Sequence, residues 1–86
     1  MSFRVQLFRQ SEKELDRLVR VAEKRIRDRL KELALTPYDD RLSQPVKMAE
    51  GRRSSRVGDW RIIYRIDEDE RVVFVMAIQH RSKAYP

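Results

Sequence analysis

Two arginines that flank a short turn are the residues of this sequence best suited to hold an anion. Residues 56–64 (RVGDWRIIY) are typical of a β-hairpin with Gly58 and Asp59 as its turn, a loop length that favours glycine at positive φ. This register places Arg56 directly opposite Arg61. Like charges facing each other destabilise a β-ladder, so their presence predicts a bound anion.

The same register extends the basic surface along both strands of the hairpin. Arg52 then lies opposite Arg65 and Ser54 opposite Ile63. Because side chains alternate along a strand, all of them share one face with the arginine pair. We predict an anionic ligand such as a phosphate on this face; the alternative is that the arginines extend into solvent.

A second group of reactive side chains lies near the end of the chain, at residues 79–85 (QHRSKAY). His80 could act as a general acid or base near neutral pH. Arg81 could hold a phosphate through two hydrogen bonds, and Tyr85 could stack on a nucleobase. The alternatives are a surface histidine, an ordinary surface arginine and a tyrosine that anchors the C-terminus on the sheet.

The position of His80 relative to the arginine pair depends on the register of the last two strands. A four-residue turn at residues 67–70 pairs Ile66 with Arg71 and puts His80 on the face of Arg61. A turn one residue shorter reverses that parity, because successive side chains point to opposite faces. The sequence leaves both registers open.

Composition limits the class of protein. The chain has 86 residues, a net charge of +6, one histidine and no cysteine, so we expect one domain over residues 1–86 with a single core. The positive charge indicates an anionic partner, nucleic acid first. Neither a metal site nor another cofactor is expected. Without an apolar leader or membrane-spanning segment, the sequence predicts a soluble, cytoplasmic protein that does not bind membranes.

The elements that would position these residues begin with a strand at residues 3–8. Ser11 and Glu14 have the spacing of a capping box, which predicts Ser11 as the N-cap of a helix. Helical spacing continues to residue 35, as one long helix or as a hairpin with a break at residues 19–21. We interpret its basic residues as a solvated face: Arg20, Lys24, Arg25, Arg27, Arg29 and Lys31.

An irregular connection is predicted from residue 36 to residue 45, followed by three antiparallel strands. The last of these, residues 71–78, is almost wholly apolar, which is typical of a central strand covered on both faces. The first strand then pairs with it in parallel, and the helices pack on one face of the sheet. The predicted fold class is therefore α/β in the broad sense (α+β).

Taken together, these motifs resemble those of the RelE/ParE superfamily of toxins from type II toxin–antitoxin systems. The resemblance rests on residues 11–15, 56–64 and 80–85 and covers essentially the whole chain. It implies a helical hairpin on a four-stranded, partly antiparallel sheet. RelE-like members are metal-independent endoribonucleases that cut mRNA in the ribosomal A site, and a small antitoxin silences them. The implied partners are therefore a cognate antitoxin, the ribosome and mRNA.

The resemblance also implies roles for individual residues. The substrate 2′-hydroxyl would attack the adjacent phosphate and give a 2′,3′-cyclic phosphate. Arg56 and Arg61 would stabilise the phosphorane, Arg81 or His80 would assist the leaving oxygen, and Tyr85 would orient or stack the nucleotide. Further RNA-binding candidates are Lys47, Arg52, Arg65 and Lys83.

Two departures from the family pattern leave the general base unassigned. Ser54 stands where RelE-like nucleases often carry a basic residue, and Gln44 where some carry a glutamate. The candidates are His80 and Lys83, followed by Lys47. ParE-like members share the fold but poison DNA gyrase by binding it, and a non-catalytic basic RNA-binding module is a third alternative. The strand-end His-Arg followed by tyrosine favours the nuclease.

Overall fold

The computed structural model describes residues 2–84. It contains the predicted strands and helices in the predicted order, and two further short elements. The elements are β1 (Arg4–Leu7), α1 (Arg9–Asp16), α2 (Arg20–Leu35), β2 (Gln44–Pro45), β3 (Arg52–Val57), β4 (Trp60–Asp67), β5 (Val72–His80) and α3 (Arg81–Ala84). The sheet order is β1-β5-β4-β3-β2. Strand β1 runs parallel to β5, and the other pairs are antiparallel. The predicted α+β fold is confirmed.

The helical segment is a hairpin, which decides between the two alternatives left by the sequence. Helix α1 ends at Asp16 and α2 begins at Arg20. The predicted capping box is wrong: Phe8 is the N-cap of α1 and makes no side-chain cap bond. Ser11 lies inside the helix, fully buried, and its hydroxyl donates to the backbone oxygen of Val75 at 3.1 Å. Its role is to join α1 to the sheet.

The hydrophobic core lies between the two long helices and one face of the sheet, which we call the helix face. Helix α2 contributes Ile26, Leu30 and Leu33, and β4 contributes Ile62 and Tyr64, all buried. The opposite face of β3 and β4 carries Arg52, Arg56, Arg61 and Arg65, and we call it the arginine face. The core therefore forms on the side away from the arginines. None of the helices within residues 2–84 has the length and apolarity that crossing a membrane requires.

The hairpin of β3 and β4 has the predicted register. Arg56 pairs with Arg61 and Arg52 with Arg65. Gly58 has a φ of +60°, as its turn position requires. Two short-range constraints, the turn and the alternation of apolar residues, are sufficient to fix this part of the sheet.

The register between β4 and β5 differs from the one predicted with a turn at residues 67–70, because the four connecting residues are 68–71. Ile66 pairs with Val73 instead of Arg71, and the register shifts between Ile63 and Tyr64. Such a shift inserts an unpaired residue and reverses the side-chain parity beyond it. As a result His80 pairs with Trp60 and lies on the helix face.

Strand β2 is a short element within the predicted irregular connection. Gln44 pairs with Ser54 and Pro45 with Arg53 at the edge of the sheet. Proline is tolerated there because an edge strand needs no amide donor on its outer side. The sheet thus has five strands where the family resemblance implies four.

Replacement of Gly58 by alanine is expected to destabilise the hairpin. A Cβ would lie 3.2 Å from Nη1 of Arg25, a flexible group that can move, but the φ of +60° remains strained. We expect a loss of about 1–2 kcal/mol in the free energy of unfolding, measured by chemical denaturation. Gly51→Ala separates strain from contact, because Gly51 also has a positive φ (+81°) but no neighbour within 4 Å, so we expect a similar loss there. A Gly58→Ala protein as stable as the wild type would contradict the strain argument.

Candidate functional site

The arginine pair opens into a surface groove of about 510 Å³. Strands β3 and β4 form one wall and the chain between residues 40 and 47 forms the other. Five cationic side chains line it: Arg29, Arg41, Lys47, Arg56 and Arg61. The acidic residue in the lining is Asp40, which accepts a hydrogen bond of 2.8 Å from Arg53. A cleft lined in this way concentrates positive potential and is suited to an anion.

Of the predicted RNA-binding residues whose side chains the structure describes, one lines this groove and two lie outside it. Lys47 lines it together with the arginine pair. Arg52 and Arg65 lie further along the arginine face and outside the groove lining. The guanidinium carbon of Arg65 lies 4.5 Å from the ring centre of Phe74, a cation–π contact that keeps it close to the sheet.

His80 lies on the opposite face of the sheet from the arginine pair. Its ring meets that of Trp60 edge to face, with centres 5.1 Å apart. Nδ1 lies 2.9 Å from the hydroxyl oxygen of Ser82 and accepts the backbone N–H of Ser82 at 3.3 Å. An Nδ1 that accepts an amide proton leaves Nε2 as the protonated nitrogen of the neutral ring. His80 is therefore placed to hold the start of α3, and its catalytic role stays a prediction.

Arg81 is held at the turn of the β3–β4 hairpin. Its backbone N–H donates to the backbone oxygen of Asp59 at 2.7 Å, and its Nη1 lies 3.8 Å from the Asp59 carboxylate. Both side chains are well exposed, so the ion pair itself contributes little to stability. Tyr85 lies outside the described residues, and so does the side chain of Lys83; their predicted roles remain predictions.

A chain of buried hydrogen bonds fixes the connecting loop (residues 36–43), which leads into the second wall of the groove. The hydroxyl of Tyr64 donates to the backbone oxygen of Pro37 at 2.7 Å and lies 2.6 Å from Ser43 Oγ. Nε of Arg53 donates to Ser43 Oγ at 2.8 Å. All described buried side-chain polar atoms have partners. Ser43 and Arg53 were missed in the sequence analysis, because their partners are distant in sequence.

A second set of contacts fixes this loop at Leu42. It also corrects the interpretation of Arg29 as part of a solvated face. Ser55 Oγ donates to the backbone oxygen of Leu42 at 2.7 Å and accepts a bond of 2.9 Å from Nη1 of Arg29. The Arg29 side chain is 24% exposed. By contrast, Lys24 and Arg27 form exposed ion pairs within α2, as expected of a solvated face.

Tyrosine ionisation provides a pH test of the loop attachment. Burial raises the pKa of Tyr64 above its ordinary value of 10.0, although the bonds from Ser43 and Arg53 oppose this shift. The folded protein therefore holds the phenol proton more tightly than the unfolded chain. Its contribution to stability is complete below about pH 10 and is lost as the pH rises further. We expect the free energy of unfolding to fall less steeply above this pH in Tyr64→Phe than in the wild type; identical slopes would contradict it.

The chemistry available in the groove is that of guanidinium and ammonium groups. Within residues 2–84, no group of three or more His, Cys, Asp or Glu side chains is arranged to hold a metal ion. Guanidinium groups stabilise negative charge and bind phosphate oxygens bidentately. The arrangement therefore suits the stabilisation of charge on a phosphate.

Comparison with known proteins identifies relatives of this fold. A family model described as the ParE toxin of the type II toxin–antitoxin system parDE matches residues 5–85. The structure is similar to the RelBE2 toxin–antitoxin complex of Mycobacterium tuberculosis, with a TM-score of 0.82 and 23% identity over 94% of this chain and 100% of that chain. No protein with a curated description matches significantly.

Two further structures of toxins show the same likeness. The isolated RelE toxin of E. coli has a TM-score of 0.82 at 15% identity, over 92% of this chain and 84% of that chain. The YoeB/ParE toxin of Agrobacterium tumefaciens has a TM-score of 0.78 at 19% identity, over 90% and 96%. At these identities the similarity establishes the fold alone.

Proposed function

We propose that this chain, which belongs to the ParE toxin family and is the toxin of a type II toxin–antitoxin module, cleaves mRNA on the ribosome. The observation that carries the proposal is the placement of Arg56 and Arg61 side by side in a cationic groove. Cleavage of RNA next to a 2′-hydroxyl requires stabilisation of a phosphate that gains negative charge. Two guanidinium groups on one face of a rigid sheet can supply this stabilisation.

The reaction breaks one P–O bond and forms another. The 2′-oxygen loses its proton and attacks the adjacent phosphorus, and the 5′-oxygen of the next nucleotide leaves and takes up a proton. The products are a 2′,3′-cyclic phosphate and a free 5′-hydroxyl. Arg56 and Arg61 stabilise the phosphorane between these two steps. The ribosome holds the mRNA in position and supplies much of the rate through orientation.

The positions of the candidate bases support one of them for proton transfer. Lys47 lines the groove that holds the arginine pair. His80 lies on the other face of the sheet, with Nδ1 engaged by Ser82. This position supports Lys47 as the base. Arg81, which lies at the hairpin turn and outside the groove lining, is proposed to assist the leaving oxygen. Tyr85 is proposed to orient or stack the nucleotide.

The proposed partners are a cognate antitoxin, the ribosome and mRNA. Several structurally similar proteins are toxin–antitoxin complexes, among them RelE–RelB of Pyrococcus horikoshii and the E. coli RelBE complex. Action on the ribosome implies a cytoplasmic protein.

A second candidate function follows from the family model, which is named for ParE toxins. A ParE-like member would bind DNA gyrase and poison it without nuclease chemistry of its own. Such binding requires a complementary protein surface and does not require two guanidinium groups side by side in a cationic groove. The arginine pair therefore favours the nuclease.

One experiment compares the two candidates. Purified protein is added to ribosomes programmed with a defined mRNA, and cleavage is mapped by primer extension; ribosome-free mRNA is the control. We expect cuts at A-site codons only when ribosomes are present. A parallel assay measures gyrase supercoiling at the same protein concentration. Intact mRNA together with inhibited supercoiling would overturn the proposal in favour of gyrase binding.

A further inference from the structure

Arg29 differs from every other cation of α2 in its surroundings. Among the described residues that line the groove, Arg29 is the cation that comes from α2, although this helix packs on the opposite face of the sheet. We infer that Arg29 is a third guanidinium of the phosphate site, where it both positions Arg56 and adds positive charge. This inference deepens the proposed function and rests on it for the identity of the ligand, a single-stranded RNA backbone.

The positioning role follows from the hydrogen bonds of Arg29. Its Nη1 donates to the backbone oxygen of Arg56 at 3.0 Å and to Ser55 Oγ at 2.9 Å. A longer contact of 3.4 Å reaches the backbone oxygen of Leu42 in the connecting loop. One guanidinium thus ties α2 to both walls of the groove. Arg29 therefore holds the backbone of Arg56, and the side chain of Arg56 would bind the phosphate.

The electrostatic role follows from partial burial. The Arg29 side chain is 24% exposed, against 49% for Arg27 on the outer face of the same helix. Charges that are partly withdrawn from water are less screened, so their field acts further into the groove. The hydrogen bonds described use Nε and Nη1, which leaves the Nη2 amine for a phosphate oxygen.

The carboxylate of Glu32, which lies outside the groove, partly neutralises the charge of Arg29. Nε of Arg29 lies 3.4 Å from the Glu32 carboxylate, and that side chain is 55% exposed. Glu32 is not part of the groove lining. Its removal should therefore strengthen the positive potential without changing the surface that the ligand contacts.

The shape and charge of the groove favour an extended phosphodiester chain over a single phosphate. Cations approach from α2, from the strand pair and from the chain that leads into β2. Such a site can contact successive phosphates of one strand, and each neutralised phosphate of single-stranded nucleic acid adds about 0.7 to the slope of log K against log salt.

The test uses the full-length protein and a single-stranded oligoribonucleotide, followed by fluorescence anisotropy over a range of salt concentrations. We expect Arg29→Gln to weaken binding and to lower the salt slope by about 0.7. The control is Arg27→Gln, which removes the same charge from the same helix at an exposed ion pair with Glu23. Equal effects of the two variants, or no binding by the wild-type protein, would overturn the inference.

Two further variants separate charge from structure. Arg29→Lys keeps the charge but loses the forked hydrogen bonds, so we expect it to retain more of the salt slope than Arg29→Gln. Glu32→Gln should tighten binding more than Glu23→Gln, because only the former frees the charge of Arg29. The role of Arg29 would be purely structural if Arg29→Lys bound the oligoribonucleotide as weakly as Arg29→Gln and if Glu32→Gln and Glu23→Gln bound it equally well. Those results would overturn the electrostatic part.

Failure of the proposed function would be seen separately. If mRNA on programmed ribosomes stays intact while the oligoribonucleotide binds as described, the nuclease proposal fails and the role of Arg29 in phosphate binding stands. If cleavage occurs and Arg29→Gln binds the oligoribonucleotide as Arg27→Gln does, the inference fails and the nuclease proposal stands.

Discussion

Arg61→Ala is expected to leave mRNA nearly intact on ribosomes under conditions in which the wild-type toxin cuts it. Arg61 is half-buried, lies opposite Arg56 and lines the groove. Loss of one preorganised donor to a developing anionic charge slows catalysis by about 10²–10³-fold. Single-turnover cleavage at saturating ribosome concentration measures this loss directly, because it reports the chemical step and excludes binding.

The control for this prediction is Arg65→Ala. Arg65 lies on the same strand and the same face, but outside the groove and over the ring of Phe74. We expect this variant to raise the ribosome concentration required for half-maximal rate and to leave the single-turnover rate near that of the wild type. Equal losses in the two variants would contradict a specific role of Arg61 and indicate a general effect of net charge. The free energies of unfolding of both variants are measured as well, to exclude the possibility that a lower rate results from loss of the fold.

Arg61→Lys tests whether binding requires the planar, forked shape of the guanidinium group. Arg61→Lys keeps the positive charge but cannot form two parallel hydrogen bonds to one phosphate. A rate between those of the wild type and Arg61→Ala would support bidentate contact.

The part of the site that the sequence predicts is the part built by local rules. The pairing of Arg56 with Arg61 follows from a two-residue turn and from alternation, and both act over fewer than ten residues. The side of the sheet on which His80 lies depends on a register shift at Ile63 and Tyr64. The residue that this shift leaves out of the pairing is Met76, and an unbranched methionine does not mark an irregular position in a strand.

The remainder of the site depends on contacts between distant segments. Arg29 and Arg56 are 27 residues apart in sequence, and their bond joins a helix to a strand. Ser11 has the sequence pattern of an N-cap, yet its hydroxyl bonds to Val75, 64 residues away. In both cases a polar residue typical of a helix surface is partly or fully buried by packing that helical periodicity does not describe. The arginine pair could therefore be predicted from the sequence, but the groove around it could not.

Tyr64→Phe is expected to loosen the connecting loop and with it the second wall of the groove. The hydroxyl that it removes is buried and joins Pro37 to Ser43. Two buried polar atoms then lose a partner, which costs about 1–3 kcal/mol. In a domain of this size each kcal/mol lowers the melting temperature by about 4–8 °C, so calorimetry or thermal circular dichroism measures the effect.

Tyr38→Phe is the matched control, because it makes the same chemical change in the same loop at a side chain that is 51% exposed. We expect its melting temperature to stay close to that of the wild type. If Tyr64→Phe melts no earlier than Tyr38→Phe, then Arg53, which bonds to both Asp40 and Ser43, holds the loop without the phenol. If it melts earlier and also binds the oligoribonucleotide more weakly, the buried hydroxyl chain is part of what keeps the cationic groove in shape.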